Sequence, residues 1–132
     1  MSSQAEFLLA KARKLVRTAQ SLIKDGYPND AGRGAYLAAY NAAQAYIADH
    51  TGRIAKTHSG THTQFAQLSM LEPGIEPAMR KFLQEAYELK SSADYDVGED
   101  GDVSLADATA AVEGAVRFVE CIAELLKEPR AR

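Results

Sequence analysis

The short segment RIAKTHSG contains four polar residues whose side chains could act on a phosphodiester. Four residues separate Arg53 from His58, Lys56 lies between them, and Ser59 follows directly. Histidine titrates near neutral pH and can take the proton of a ribose 2′-hydroxyl. Arginine and lysine can stabilise the charge that develops on phosphate. The segment is therefore compatible with metal-independent cleavage of RNA, although an Arg-x4-His spacing is common by chance.

A second histidine, His62, follows His58 at the spacing that places two side chains on one face of a helix. Such a pair can ligate a metal ion. The intervening residues are Ser59, Gly60 and Thr61, however, so the His-Glu-x-x-His pattern of zinc proteases is absent. A metal cage between helices would also need carboxylates at matching positions. We therefore predict no metal site and no cofactor.

The bulk composition predicts a single globular domain spanning residues 1–132. Hydrophobic residues make up 46% of the chain and charged residues 25%, as in ordinary soluble proteins. We see no apolar stretch near the roughly 20 residues that cross a bilayer, and no signal peptide. Because Cys121 is the only cysteine, an intrachain disulfide is impossible. These features favour a cytoplasmic protein that does not enter a membrane.

Charge is distributed unevenly along the chain, whose formal net charge is −3. Residues 1–70 contain eight Lys and Arg against four Asp and Glu, whereas residues 71–132 contain seven against fourteen. An acidic chain is a poor general binder of polyanions. The basic half could still hold RNA or a nucleotide, and the acidic half could meet a basic partner. Alternatively, both are solvated helix faces.

Apolar side chains recur with helical periodicity in five segments, and strict alternation does not persist in any segment. We therefore expect an all-α, up-and-down bundle of four long helices and one short helix, with residues 51–60 forming a loop. The predicted bounds are Ser3 and Gly26 for the first helix, Asn29 or Asp30 and about Asp49 for the second, Thr61 and Met70 for the short one, Pro77 and Tyr95 for the fourth, and Ser104 and Pro129 for the last.

The second helix has an unusual sequence, AYLAAYNAAQAYIA, in which alanines present little bulk. Another helix can therefore approach it closely. Either this face packs in the core of one protomer, or it contacts a second copy of the chain. The alanines concerned are Ala35, Ala39, Ala42 and Ala43.

Three segments resemble the HEPN family in order and spacing, over about residues 4–126. AYLAAYNAAQAYIADHTG resembles the second helix of HEPN proteins, KTHSGTHTQFAQL the loop and short helix that follow, and ELKSSADYD the segment that closes the fourth helix. The resemblance implies a helical bundle, often a homodimer with a cleft between protomers. Many such proteins are metal-independent ribonucleases with an Arg-x4–6-His motif, and others are encoded beside a minimal nucleotidyltransferase that acts as antitoxin.

The resemblance also implies roles for individual residues. Arg53 would bind or polarise phosphate, and His58 would be the acid and base. Two functions follow as alternatives: a HEPN ribonuclease that acts as a toxin, or a non-catalytic module that binds a nucleotide or a nucleotidyltransferase partner. Supporting binding residues would be Lys56, Ser59 and His62, and Tyr95 and Asp94 could line the same site.

Several positions depart from what close relatives often have. The arginine of the second helix is Arg33, whereas the expected position holds Gly34; one residue along a helix is about 100° of rotation, so Arg33 is expected to point away from the cleft. Asn41 and Gln44 stand where relatives often have histidine and arginine. Gly60 replaces the tyrosine that is modified in some toxins. These departures favour the non-catalytic alternative, whereas the Arg-x4–6-His motif of the family favours the ribonuclease, which we prefer of the two.

Overall fold

The computed structural model describes residues 1–95 and 102–127, apart from the side chain of Tyr95, and contains five α-helices in those ranges. No strand occurs in the same two ranges. The predicted all-α bundle of four long helices and one short helix is confirmed. None of the helices described is long and apolar enough to cross a membrane. The helices are α1 (Ser3–Asp25), α2 (Pro28–Thr51), α3 (His58–Ser69), α4 (Pro77–Tyr95) and α5 (Leu105–Lys127).

Helix α2 lies at the centre of the bundle and contacts each of the other four helices. Its small side chains allow these neighbours to approach closely from several sides. All four alanines of the predicted small-residue face are completely buried within one protomer. They therefore pack in the core, which excludes them as contacts with a second copy. These residues are Ala35, Ala39, Ala42 and Ala43.

The close approach of α1 and α2 is most evident at Gly34. A Cβ atom added there would lie 3.3 Å from the Cβ of Ala19 in α1. A side chain at this position would therefore point toward α1. This contact gives a physical reason for glycine at the position where the resemblance led us to expect arginine, because a long side chain would have to enter the α1–α2 interface.

The first helix is capped one residue earlier than predicted. The hydroxyl of Ser2 accepts a hydrogen bond from the backbone N–H of Ala5 at 3.1 Å, so Ser2 rather than Ser3 is the N-cap. At the other end, Gly26 adopts φ 85°, the left-handed conformation that suits glycine after a helix. The predicted end of the first helix is thus confirmed.

The second helix begins before both of its predicted capping residues. Pro28 occupies the first helical turn, where its missing N–H costs no hydrogen bond. Asn29 instead accepts a hydrogen bond from the backbone N–H of Val103 at 2.8 Å and so joins the start of α2 to the segment before α5. The prediction of a cap at Asn29 or Asp30 is wrong, because proline at the first position sets the start of the helix.

The bounds of α4 and the start of α5 agree with the sequence pattern. Helix α4 runs from Pro77 to Tyr95. The hydroxyl of Ser104 accepts a hydrogen bond from the N–H of Asp107 at 3.0 Å, as predicted for the cap of the last helix. Pro129 lies outside the described residues.

Candidate functional site

Helix α3 begins three residues earlier than the sequence pattern predicts. The hydroxyl of Thr57 accepts a hydrogen bond from the N–H of Gly60 at 2.9 Å and caps the helix. The helix therefore starts at His58 instead of Thr61, and the predicted loop is shorter. As a result, His58 and His62 lie one turn apart on the same face of one helix.

The two histidines meet at the hydroxyl group of Tyr36, a completely buried residue of α2. The hydroxyl oxygen lies 2.7 Å from Nδ1 of His58 and 3.1 Å from Nε2 of His62. Burial raises the pKa of Tyr36, and the neighbouring tyrosines Tyr40 and Tyr87 raise it further. The phenol therefore stays protonated at neutral pH, and one neutral hydroxyl binds two imidazoles at once.

Aromatic rings from α2 and α4 pack around both imidazoles. Tyr40 stacks on His58, with ring centroids 4.5 Å apart and an angle of 25° between the planes. Tyr87 contacts His62 edge to face at 5.5 Å, and it contacts the ring of Tyr36 in the same way at 5.2 Å. These contacts hold the imidazole rings in defined orientations, as a solvated loop would not.

A cavity of about 290 Å³ lies beside the histidines. His58 is exposed at this cavity, whereas His62 is half-buried. Burial lowers the pKa of His62; a hydrogen bond with Gln84 opposes this shift, and the nearby His58 adds to it. His62 is therefore neutral at pH 7. The cavity is lined by His58, Ser59, His62, Thr63, Gln84 and Tyr87.

The structure brings three of the predicted site residues together and leaves two apart. His58, Ser59 and His62 line the cavity, but Arg53 and Lys56 do not. Both basic residues are exposed on the loop between α2 and α3. Within residues 1–95 and 102–127, their side chains have no hydrogen bond or ion pair. They are therefore open to a ligand, but the fold does not hold them in place.

Gln44 fixes the backbone of the loop that carries these two basic residues. Its Nε2 donates a hydrogen bond to the carbonyl of Ala55 at 2.9 Å, and its Oε1 accepts one from the N–H of the same residue at 3.0 Å. Both residues are buried, each with 4% of its surface exposed. The side-chain amide thus satisfies both backbone groups of Ala55, midway between Arg53 and Lys56.

A comparison with family descriptions gives the family of the chain. The sequence description of the HEPN domain matches residues 5–126. The chain belongs to the HEPN family. The match includes every residue of the cavity and most or all of each of the five helices. HEPN membership is consistent with a ribonuclease or a nucleotide-related module. A search of curated proteins finds no match to the chain.

The guanidinium of Arg33 is held by three groups of this chain. Arg33 stands one position before Gly34, where arginine was expected from the resemblance. Its guanidinium donates hydrogen bonds to Asp30 at 2.6 Å, to Asp94, and to the carbonyl of Ala93 at 2.8 Å. Lys90 pairs with Asp94 at 2.7 Å. Lys90 and Arg33 together hold the pKa of Asp94 below its usual value. This ion-pair cluster joins the start of α2 to the end of α4.

Asn41, another position considered from the sequence, does not line the HEPN cavity. Asn41 is buried, and its side chain donates to the carbonyl of Leu37, one turn earlier, at 2.8 Å. The side chain of Tyr95 lies outside the described residues. In the part of the chain that the structure describes, no group of three His, Cys, Asp or Glu could hold a metal ion.

Sequence reasoning missed the tyrosines of this HEPN site. The sequence pattern of α2 predicts a helix but does not reveal that the hydroxyl of Tyr36 binds two histidines. The sequence did contain one indication of this site. Tyr36 and Tyr40 are four residues apart, as are His58 and His62, so each pair lies on one face of its helix. Tyr87 gave no such signal, because its role depends on how α4 packs against α2.

Proposed function

We propose that this HEPN domain is a metal-independent endoribonuclease whose general base is His58. The observation that carries the proposal is the hydrogen bond between Nδ1 of His58 and the buried hydroxyl of Tyr36. This bond leaves Nε2 of the same ring for a substrate in the cavity. General base catalysis requires a group of suitable pKa in a fixed position within reach of the proton that it takes. Imidazole is the side-chain group most often used in this role, and the bond to Tyr36 fixes the position of the ring.

In the proposed reaction, Nε2 of His58 takes the proton of a ribose 2′-hydroxyl. The 2′ oxygen forms a bond to the adjacent phosphorus, and the bond between phosphorus and the 5′ oxygen breaks. The departing 5′ oxygen takes a proton from water, and His58 returns its proton to the solvent. The products are a 2′,3′-cyclic phosphate and a 5′-hydroxyl end.

Arg53 is proposed to bind the phosphate, with Lys56 as a weaker contributor. Because Arg53 is exposed and has no partner among the described residues, it costs little to redirect its guanidinium to a ligand. The same exposure means that solvent and salt screen the contact.

Arg53→Gln is expected to lower kcat/KM by about tenfold, chiefly through a higher KM, because a screened phosphate contact contributes more to binding than to the chemical step. The measurement is initial rates at several salt concentrations, with a smaller dependence on salt expected in the variant. Arg13→Gln, on the exposed side of α1, is the matched control. A kcat/KM that equals that of the wild type would remove Arg53 from the site.

The direct test of the proposed reaction uses the purified chain, RNA and an excess of EDTA. We expect cleavage that persists in the chelator and yields 2′,3′-cyclic phosphate ends, which are identified by their resistance to phosphatase. RNA that stays intact, or cleavage that needs added magnesium, would contradict the proposal.

A non-catalytic function has one observation in its favour, namely that the basic residues Arg53 and Lys56 do not line the cavity of His58. In that case the cavity would bind a nucleotide, or the domain would bind a nucleotidyltransferase partner. The expected signature is a ligand-dependent rise in the temperature of unfolding in samples that do not turn over RNA.

The proposal includes a biological setting that the family resemblance implies. In this setting the chain is a cytoplasmic toxin, a minimal nucleotidyltransferase is its antitoxin, and two copies of the chain form a homodimer with a cleft between them. Family membership supports this setting. The excess of acidic residues in positions 71–132 would also suit a basic partner surface.

A further inference from the structure

We infer that Tyr36 and His62 are positioning residues that hold neutral His58 in one tautomer, with the proton on Nδ1 and the lone pair of Nε2 facing the cavity. The inference rests on the proposed function, because it explains how His58 is kept ready to act as a base. Completely buried Tyr36 and half-buried His62 would then act on the reaction through His58, without contacting the substrate.

The hydroxyl of Tyr36 has one proton to share between two imidazole nitrogens. Both nitrogens are within hydrogen-bond distance, so the hydroxyl donates to one and accepts from the other. If it donates to His62, then His58 must donate from Nδ1, and Nε2 of neutral His58 carries a lone pair. If it donates to His58, then Nε2 of His58 carries the proton and cannot act as a base.

The contacts of His62 decide between these two arrangements. Gln84 lines the cavity beside His62, and its Nε2 donates to Glu88 at 3.3 Å, so Oε1 of Gln84 is the atom left to accept from the imidazole. A bond donated by the imidazole agrees with the upward effect of Gln84 on the pKa of His62. Since Nε2 of His62 lies at Tyr36, the nitrogen that remains for Gln84 is Nδ1. Neutral His62 has only one proton, and with that proton on Nδ1 its Nε2 must accept from Tyr36. Hydrogen bonds therefore run from His58 to Tyr36, from Tyr36 to His62, and from His62 to Gln84.

The same chain of hydrogen bonds suits His58 before and after it takes a proton. When Nε2 is protonated, Nδ1 continues to donate to Tyr36, so no hydroxyl has to turn. Because Tyr36 is completely buried, water does not compete for its oxygen. The other rings near His58 are Tyr40, stacked on it, and Tyr87 at 6.2 Å. Fixed dipoles of this kind avoid reorganisation during the reaction.

The tautomer of His58 can be measured without any activity. Long-range ¹H–¹⁵N correlation spectra of the full chain at about pH 8, where an ordinary histidine is neutral, show which ring nitrogen carries the proton. We expect the Nδ1–H form for His58 in the wild type and loss of that preference in Tyr36→Phe. Tyr27→Phe, at an exposed tyrosine, is the matched control and should leave the spectrum of His58 unchanged. An Nε2–H form in the wild type would overturn the inference.

A kinetic readout separates positioning from a merely structural role. Tyr36→Phe is expected to lower kcat by about tenfold at an unchanged KM, as for the loss of one hydrogen bond that favours the reactive form. A structural role alone would lower the folded fraction and leave kcat per folded molecule the same, which would overturn the inference. If RNA stays intact but His58 shows the Nδ1–H form, the proposed function fails and the inferred tautomer stands. If RNA is cleaved by a chain in which His58 shows the Nε2–H form, only the inference fails.

Discussion

His58→Gln is expected to lower the single-turnover rate of RNA cleavage by at least about a hundredfold, which is the lower end of what a positioned general base contributes. The glutamine amide can still hydrogen-bond to Tyr36, but it cannot take a proton at neutral pH. Because His58 is exposed, the change should affect the stability of the fold little. Rates are measured in EDTA with enzyme in excess over RNA.

A matched control is available for this substitution. His50 is a half-buried histidine of α2 that does not line the cavity, and its Nδ1 bonds to the carbonyl of Tyr46 at 2.8 Å. His50→Gln is expected to cleave RNA at the rate of the wild type once corrected for the folded fraction. If His58→Gln also retained the rate of the wild type, the assignment of His58 as the base would be wrong.

Gln44→Ala is expected to lower the free energy of unfolding by about 2–6 kcal/mol, because an unsatisfied buried polar group costs about 1–3 kcal/mol and two are created. Those groups are the N–H and the carbonyl of Ala55, which both bond to the side chain of Gln44. Urea unfolding followed by circular dichroism measures the change. Faster hydrogen exchange at the amide of Ala55 in the variant would show that the loss of stability arises in the loop.

The control for this prediction is Gln67→Ala, at an exposed glutamine of α3. Surface substitutions of this kind change stability by about 0.5 kcal/mol or less. If Gln44→Ala lowers the free energy of unfolding no more than the control does, water must replace the Gln44 side chain as the partner of the Ala55 backbone. The loop would then owe its conformation to something other than Gln44.

The helical fold could be predicted from the sequence because its signals are local. Apolar periodicity predicts all five helices, and Gly26 and Pro77 mark an end and a start that the structure shows. The start of α3 could not be predicted in the same way. Its first turn contains serine and glycine, which favour loops in isolation, and only the cap by Thr57 stabilises it as helix.

The candidate site could be predicted only in part. The types and spacing of His58 and His62 pointed to one helix face, and both line the cavity. The role of Tyr36 depends on the packing of α3 against α2, and that of Tyr87 on the packing of α4 against α2. Contacts between residues so far apart in the chain leave no periodic pattern in the sequence. Gln44 shows the same limit: the sequence indicated a lost basic residue, and the structure shows a buried amide that binds Ala55.

The most direct test of a ribonuclease that acts through the 2′-hydroxyl is cleavage in EDTA of an RNA with a single 2′-deoxynucleotide. The substitution is placed immediately 5′ to a linkage that the wild-type chain cuts in the unmodified RNA. We expect cleavage to disappear at that linkage and to persist at the others, because His58 would have no 2′ proton to take. Continued cleavage at the substituted linkage would contradict the mechanism.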